Sequence, residues 1–232
     1  MEELWPGGIK YEGAGAFPVT TDSLLLADFA RMRRGSRVLE LGCAAGLISL
    51  LLLWREPELE LSAVELDGAA AETALRNFAA NGFAATVICG DLRARENLPE
   101  PNSCDAVVCN PPYFALGRGA LSRRLASARS EGECSFSDAA AAAGRSLRQG
   151  GRFYFIHRAE RLAEIFAALD TERLCPKRLR FVQHRAERAP ELFLCEAARL
   201  ARHGLKVEPP LVLYGADGEP GAEFKRIYHM EG

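Results

Sequence analysis

Short apolar runs that alternate with helix-like segments are the feature that most constrains the fold of this 232-residue chain. The runs lie at residues 37–41, 59–66, 85–89, 105–110, 152–157, 177–184 and 191–198. Apolar strands interleaved with helices are typical of a parallel sheet that is covered by helices on both faces. The pattern predicts a doubly wound α/β domain whose ligand crevice lies at the carboxyl ends of the strands.

Composition excludes several other classes of protein. A content of 48% hydrophobic and 26% charged residues is usual for one folded domain, and the longest strongly apolar run, 47–54, is too short to cross a membrane. The chain starts with Met-Glu-Glu-Leu-Trp-Pro, without the basic start of a signal peptide, so we expect a cytoplasmic location. Seven cysteines without a C-x-x-C pair and four dispersed histidines indicate neither a disulfide framework nor a metal site.

Glycine and acidic residues follow two of the predicted strands at the edge where a ligand would bind. Glu40, Gly42 and Gly46 surround the turn after the first strand, where glycine allows a tight turn and a helix N-terminus offers N–H groups. Glu65 follows 19 residues after Gly46, close to the spacing at which an acid accepts hydrogen bonds from a ribose. Taken alone, these features also fit a tight turn and a surface glutamate.

An N-P-P-Y run at 110–113 ends the fourth predicted strand. Proline lacks an N–H donor, so nearby carbonyls have fewer internal partners and can face the crevice. The Asn110 oxygen and such a carbonyl can both accept from an NH2 group that is conjugated with a ring or a carbonyl. Tyr113 offers a flat surface for stacking a base. An Asn-Pro turn that caps a strand is the structural alternative.

The order of these features resembles the class I S-adenosylmethionine-dependent methyltransferases that carry an N-P-P-Y signature. The resemblance implies a Rossmann-like, mostly parallel sheet of seven strands with an antiparallel last strand. It implies one methyltransferase domain over residues 1–232, with an N-terminal extension and helix at 1–35, a cofactor-binding half at 36–114 and a substrate-side half at 115–232. The residues that it assigns to S-adenosylmethionine are Glu40, Gly42, Cys43, Ala44, Gly46, Glu65, Leu66, Asp91 and Asn110.

Within that class the chain is most similar to the tRNA adenine-N6 methyltransferases that modify the adenosine beside the anticodon of a valine tRNA. The similarity includes the segments 20–26 and 110–114. Two family glycines that flank a Thr-Asp pair are replaced here by Thr20 and Ser23. Ala44 replaces the usual middle glycine of the cofactor loop, a change that is tolerated where φ is negative. These departures leave the class intact and the exact substrate open.

The reaction implied by the resemblance is methylation of the exocyclic nitrogen of an adenine. It assigns the catalytic site to Asn110, Pro111, Pro112 and Tyr113, with the Asn110 amide and the Pro111 carbonyl accepting from the amine. The sulfonium is already an electrophile, so no metal is expected. The residues expected to contact the substrate are Asp22, Phe114, Arg118, Arg123, Arg124, Arg129 and Arg185, and phosphate contacts are also expected from Arg178, Arg180 and Arg188.

The distribution of charge fits a polyanionic substrate, although the formal net charge is −2. Residues 115–188 contain 15 basic and 8 acidic side chains, whereas the rest of the chain contains 14 basic and 23 acidic ones. The basic excess therefore begins directly after the N-P-P-Y run and favours a nucleic-acid partner, with tRNA as the first choice. A solvated basic face is the alternative interpretation.

Three other functions fit the same motifs. A protein glutamine methyltransferase acts on an amide NH2 group, and ribosomal RNA or DNA amino-methyltransferases are further variants. A non-catalytic module that binds the cofactor or RNA is the third. Salt-dependent RNA binding would separate the RNA enzymes from the protein enzyme. The sequence leaves the oligomeric state open, and a monomer is compatible with it.

Overall fold

The computed structural model describes residues 1–13, 19–111 and 134–230. The described strands are β1 (Glu2–Glu3), β2 (Lys10–Tyr11), β3 (Arg37–Leu41), β4 (Glu60–Glu65), β5 (Thr86–Cys89), β6 (Cys104–Cys109), β7 (Leu147–Arg158), β8 (Leu174–Gln183), β9 (Leu192–Arg199), β10 (Lys206–Val207) and β11 (Leu211–Val212). The described helices are α1 (Thr21–Phe29), α2 (Leu47–Arg55), α3 (Gly68–Ala80), α4 (Phe136–Ser146), α5 (Leu162–Thr171) and α6 (Ala222–Ile227). None of these helices is long and apolar enough to span a membrane.

The central sheet has the predicted mostly parallel arrangement. Its seven longer strands lie in the order β5, β4, β3, β6, β7, β9, β8, and the short strands β10 and β11 both pair with β8. Strands β3 to β7 are joined by parallel pairings, whereas β9 runs antiparallel to both β7 and β8. The prediction of an antiparallel last strand is thus confirmed for β9, which lies inside the sheet. Strands β10 and β11 were not predicted, because two residues are too few to show an alternating pattern.

The two faces of the sheet are covered by separate helices. In β6, Ala106 and Val108 belong to one apolar core, and Val107 and Cys109 belong to the other. Successive side chains of a strand point to opposite faces, which explains this alternation. The first core also contains residues of α1, α2, α3 and α6, and the second contains residues of α4 and α5. The doubly wound arrangement is therefore confirmed.

Candidate active site

The carboxyl ends of three adjacent parallel strands bring the predicted site residues together. Gly42 and Asn110 directly follow β3 and β6, and Glu65 is the last residue of β4. The strand pairings place these three residues in one row across the sheet, and Asp91 follows the neighbouring strand β5. This edge is where ligands bind in open parallel sheets.

The loop between β3 and α2 contains three residues with a left-handed backbone. The φ angles are +70° at Gly42, +48° at Ala44 and +80° at Gly46. Ala44 therefore lacks the negative φ at which alanine is tolerated, and an L-residue in the left-handed region costs about 1–2 kcal/mol. A Cβ added at Gly46 would lie 2.8 Å from Cζ of Phe78, whereas one added at Gly42 would meet no atom of the described residues within 4 Å.

Glu65 holds this loop from the end of β4. Its Oε2 accepts a hydrogen bond of 2.7 Å from the N–H of Ala44, and its Oε1 accepts one of 2.9 Å from the N–H of Asp67. The carboxylate is buried. Two carboxylate oxygens offer about four acceptor sites, so Glu65 retains acceptor capacity toward the crevice.

Glu40 is a second buried carboxyl group behind the same loop. Its Oε2 accepts hydrogen bonds from the N–H and the hydroxyl of Ser49, in the first turn of α2. Burial raises the pKa of Glu40 to about 8, the Ser49 bonds oppose that shift, and the charge of Glu65 adds to it. In the described part of the chain, neither carboxyl group forms an ion pair. Two acidic side chains therefore lie next to the loop, and a cation bound there would favour the ionised form of Glu40.

The other predicted cofactor residues differ in their surroundings. Cys43 is buried, and burial, followed by the charges of the two nearby glutamates, raises the pKa of its thiol well above the ordinary value. Leu66 is 63% exposed at the end of β4. Asp91 is bound by Arg93, whose Nη2 lies 2.6 Å from Oδ2, and these hydrogen bonds lower the pKa of Asp91. The roles of these three residues toward a cofactor stay predictions.

Asn110 is tied to the start of α1. Its Nδ2 donates to the Ser23 hydroxyl over 3.2 Å, and that hydroxyl lies 2.9 Å from the Thr20 hydroxyl, which caps the helix. The structure therefore brings the segment that contains the predicted substrate residue Asp22 next to the start of the N-P-P-Y run. The remaining predicted residues of this region, Pro112, Tyr113, Phe114, Arg118, Arg123, Arg124 and Arg129, lie outside the described residues.

Two arginines that were expected to contact phosphates are engaged inside the protein. The Arg178 side chain is 9% exposed, and its Nε lies 3.6 Å from Glu196 and 3.7 Å from Glu208. Arg180 forms two hydrogen bonds of 2.6 and 2.7 Å with Glu223. The predicted phosphate contacts of Arg178 and Arg180 are therefore wrong. Their spacing in the sequence does not reveal their acidic partners, because those partners lie on other elements.

Arg185 and Arg188 lie in the loop after β8. This strand runs parallel to β7, because both are antiparallel to β9. Its carboxyl end therefore lies at the same edge of the sheet as the candidate site. Arg185 is half-buried and Arg188 is exposed.

Sequence reasoning missed several residues that support the site. Ser23 binds the Asn110 amide, and Asn77 of α3 binds the backbone of the cofactor loop at Ala45. Tyr11 is buried in the core that includes Cys43 and Ala45. The sequence does contain a signal for Asn77, because an asparagine on the apolar face of a helix requires hydrogen-bond partners.

This fold and the row of residues at its carboxyl edge define a class I S-adenosylmethionine-dependent methyltransferase. The family described as "Methyltransferase small domain" matches residues 19–165, and the chain belongs to this family.

Relatives and solved structures agree with this assignment. The chain is 32% identical over 166 residues to the tRNA1(Val) (adenine(37)-N6)-methyltransferase of Shewanella halifaxensis. That alignment covers 70% of this chain and 67% of the relative. A protein of the same name from Porphyromonas gingivalis is 29% identical over 222 residues, or 91% and 87% of the two chains. Other relatives of that name match over about half of their length.

The crystal structure of a predicted O-methyltransferase from Agrobacterium tumefaciens has a TM-score of 0.75 with this chain. It is 22% identical, and the alignment covers 90% of this chain and 96% of that one. At this level of identity the similarity shows the fold alone.

Proposed function

We propose that this chain transfers a methyl group from S-adenosylmethionine to the N6 amine of an adenine in tRNA, beside the anticodon. The row formed by Gly42, Glu65 and Asn110 carries the proposal, because it combines a cofactor loop, an acceptor for a ribose and an acceptor for an amine. The relatives named for this reaction support the choice of substrate.

The chemistry of the site fits S-adenosylmethionine, which carries ribose hydroxyls, an ammonium group and a sulfonium. Among the described residues no atom lies within 4 Å of a Cβ built at Gly42, and Glu65 retains acceptor sites for ribose hydroxyls. Glu40 adds a second buried acid, whose ionised form a bound cation would favour. When bound, the cofactor supplies an electrophilic methyl group, so the protein needs no nucleophile of its own.

In this proposal Asn110 positions the target amine. Its Nδ2 donates to Ser23, and in the proposed reaction its Oδ1 would accept from the amine. The Pro111 carbonyl would be the second acceptor. Two acceptors orient the nitrogen lone pair, and catalysis then consists mainly of holding that nitrogen about 3–3.5 Å from the methyl carbon.

Contacts to the rest of the tRNA would come from residues at the same edge. Arg185 and Arg188 would bind phosphates, and Asp22 would lie near the target base. The further contacts that we propose are stacking by Tyr113, packing by Phe114 and phosphate binding by Arg118, Arg123, Arg124 and Arg129. We also infer that the chain forms one domain, because α6 shares an apolar core with α1 and α2.

A methylation assay with radiolabelled cofactor and unmodified tRNA tests the proposal. We expect Asn110→Ala to lower kcat by about 100-fold or more, as when other groups that position reacting atoms are removed. Ser23→Ala should lower kcat by about 3- to 10-fold, since it removes the hydrogen bond that holds the Asn110 amide. Ser103→Ala is the matched control, because its hydroxyl donates to the Glu100 carbonyl at the opposite end of β6. Full activity of Asn110→Ala would refute the role of the amide.

One observation favours a second candidate, a protein glutamine methyltransferase. Arg178 and Arg180 are paired internally, so fewer basic groups are available for RNA than the sequence indicated. An amide NH2 group could be held by the same two acceptors. Binding to tRNA should weaken steeply with increasing salt if phosphates are contacted. Binding that does not change with salt would favour the protein substrate.

A further inference from the structure

Asn77 of α3 and Asn81, the residue that directly follows this helix, bind the backbone of the N-terminal segment in the same way. Asn77 accepts from the N–H of Glu12 and donates to its carbonyl, both over 2.9 Å. Asn81 accepts from the N–H of Lys10 over 2.9 Å and donates to its carbonyl over 2.7 Å. We call residues 10–12 the N-terminal strap.

The spacing of these bonds follows from the geometry of the two elements. Positions four residues apart on a helix are about 6 Å apart along its axis. Alternate residues of an extended strand are about 6.6 Å apart, so the two asparagines match the backbone of residues 10 and 12. Tyr11, between them, points to the opposite side of the strap and is buried in the core.

Asn77 makes one contact that Asn81 does not make. Its Nδ2 also donates to the carbonyl of Ala45 over 2.8 Å. Ala45 lies in the cofactor loop between the left-handed residues Ala44 and Gly46. Because Asn77 is fully buried, the strap and the loop are joined through one amide group that water does not reach.

Tyr11 provides a second connection between the strap and the loop. It belongs to the same apolar core as Cys43 and Ala45 of the loop. Burial, followed by the electrostatic effects of Glu40 and Cys43, raises the pKa of Tyr11 to about 12. The strap is therefore packed into the core that also contains part of the cofactor loop.

We propose that Asn77 is a positioning residue that holds the cofactor loop in its binding conformation through the Ala45 carbonyl, with the N-terminal strap keeping the Asn77 amide in place. The inference rests on the proposed function, in which this loop binds S-adenosylmethionine. The positive φ of Ala44 strains the loop, so a hydrogen bond to the Ala45 carbonyl is well placed to keep the loop in this conformation. A loop that is already ordered binds its ligand without the cost of ordering.

Calorimetric titration with S-adenosylhomocysteine on the full-length chain tests the proposal, with the Kd as the measured quantity. We expect Asn77→Ala to raise the Kd by about 10-fold, a factor that corresponds to about 1.4 kcal/mol. Asn81→Ala is the matched control, because it removes the equivalent pair of strap bonds, together with its bond to the Asn77 backbone carbonyl, and leaves the Ala45 bond in place. It should raise the Kd by less than about 3-fold, or about 0.65 kcal/mol.

Urea unfolding of both variants separates positioning from folding. A purely structural role predicts that Asn77→Ala lowers stability and leaves the Kd unchanged. That result, or an equal rise of the Kd in both variants, would overturn the inference while leaving the proposed function intact. If the wild-type chain binds neither S-adenosylhomocysteine nor S-adenosylmethionine, both the proposed function and the inference fail.

Hydrogen exchange on the wild-type chain gives a test that does not depend on any variant. Coupling between two sites is reciprocal, so a ligand on the loop must also stabilise the strap. Saturating S-adenosylhomocysteine should slow exchange of the Lys10 and Glu12 amides by at least about 5-fold, or about 1 kcal/mol of coupling. Unchanged exchange at both amides, with the ligand bound, would overturn the inference.

Discussion

Replacing Gly46 by alanine tests how tightly the cofactor loop is packed. The φ of +80° costs an L-residue about 1–2 kcal/mol. The new Cβ would also lie 2.8 Å from Cζ of Phe78 and 3.1 Å from Cβ of Ala74. Phe78 is fully buried, so it cannot move away, and overpacking of this kind costs about 1–3 kcal/mol. The lower entropy of the unfolded variant offsets about 0.4–1 kcal/mol.

The expected net loss is about 2–4 kcal/mol, which lowers the Tm by about 5–15 °C for a domain of this size. Gly42→Ala is the matched control, because its φ of +70° carries a similar backbone cost and no atom of the described residues lies within 4 Å of the new Cβ. It should lose only about 0.5–1 kcal/mol. Urea unfolding followed by circular dichroism measures the free energy of unfolding of both variants. Equal losses in the two variants would refute the argument from packing against Phe78.

Other variants test the remaining structural arguments. Ala44→Gly should gain about 0.5–1 kcal/mol of unfolding free energy, because it relieves the left-handed strain at φ +48°; a lower Tm would contradict this. Arg178→Ala should lose about 3–5 kcal/mol in urea unfolding, because it removes a buried guanidinium that is an ion-pair partner of the half-buried Glu196 and Glu208, whereas Arg34→Ala at an exposed ion pair should lose less than about 1 kcal/mol. Burial lowers the pKa of His157 to about 4. The free energy of unfolding should therefore decrease as the pH falls from about 6.5 toward 4, and this pH dependence should be weaker in His157→Phe. The pKa of Glu40 is raised, so its ionisation should lower the free energy of unfolding as the pH rises from about 4.5 to 8. A Glu40→Gln variant whose unfolding free energy has the same pH dependence over this range would contradict the prediction.

Much of the fold and part of the site could be predicted from local sequence. The parallel strands are apolar on both faces because helices cover both, so their positions were readable from uninterrupted apolar runs. The carboxyl ends of parallel strands must meet at one edge of the sheet, so the sequence predicts that Gly42, Glu65 and Asn110 lie together. The class of enzyme followed from the order of these features along the chain.

Other features depend on contacts between residues that are distant in the sequence. The left-handed φ of Ala44 depends on the hydrogen bond that its N–H donates to Glu65, 21 residues further along the chain. The burial of Arg178 depends on acids from β9 and from the segment after β10.

The elements, their order and the edge that carries the site therefore follow from the amino-acid sequence, because periodicity and the ends of strands are local features. Which polar groups are available at that edge, and which are paired inside the protein, depends on the three-dimensional packing. Asn77 shows why: its residue type predicts a hydrogen-bonded side chain, but its partners are 65 and 32 residues away. Such partners come together only in the folded chain, so no local sequence pattern predicts them.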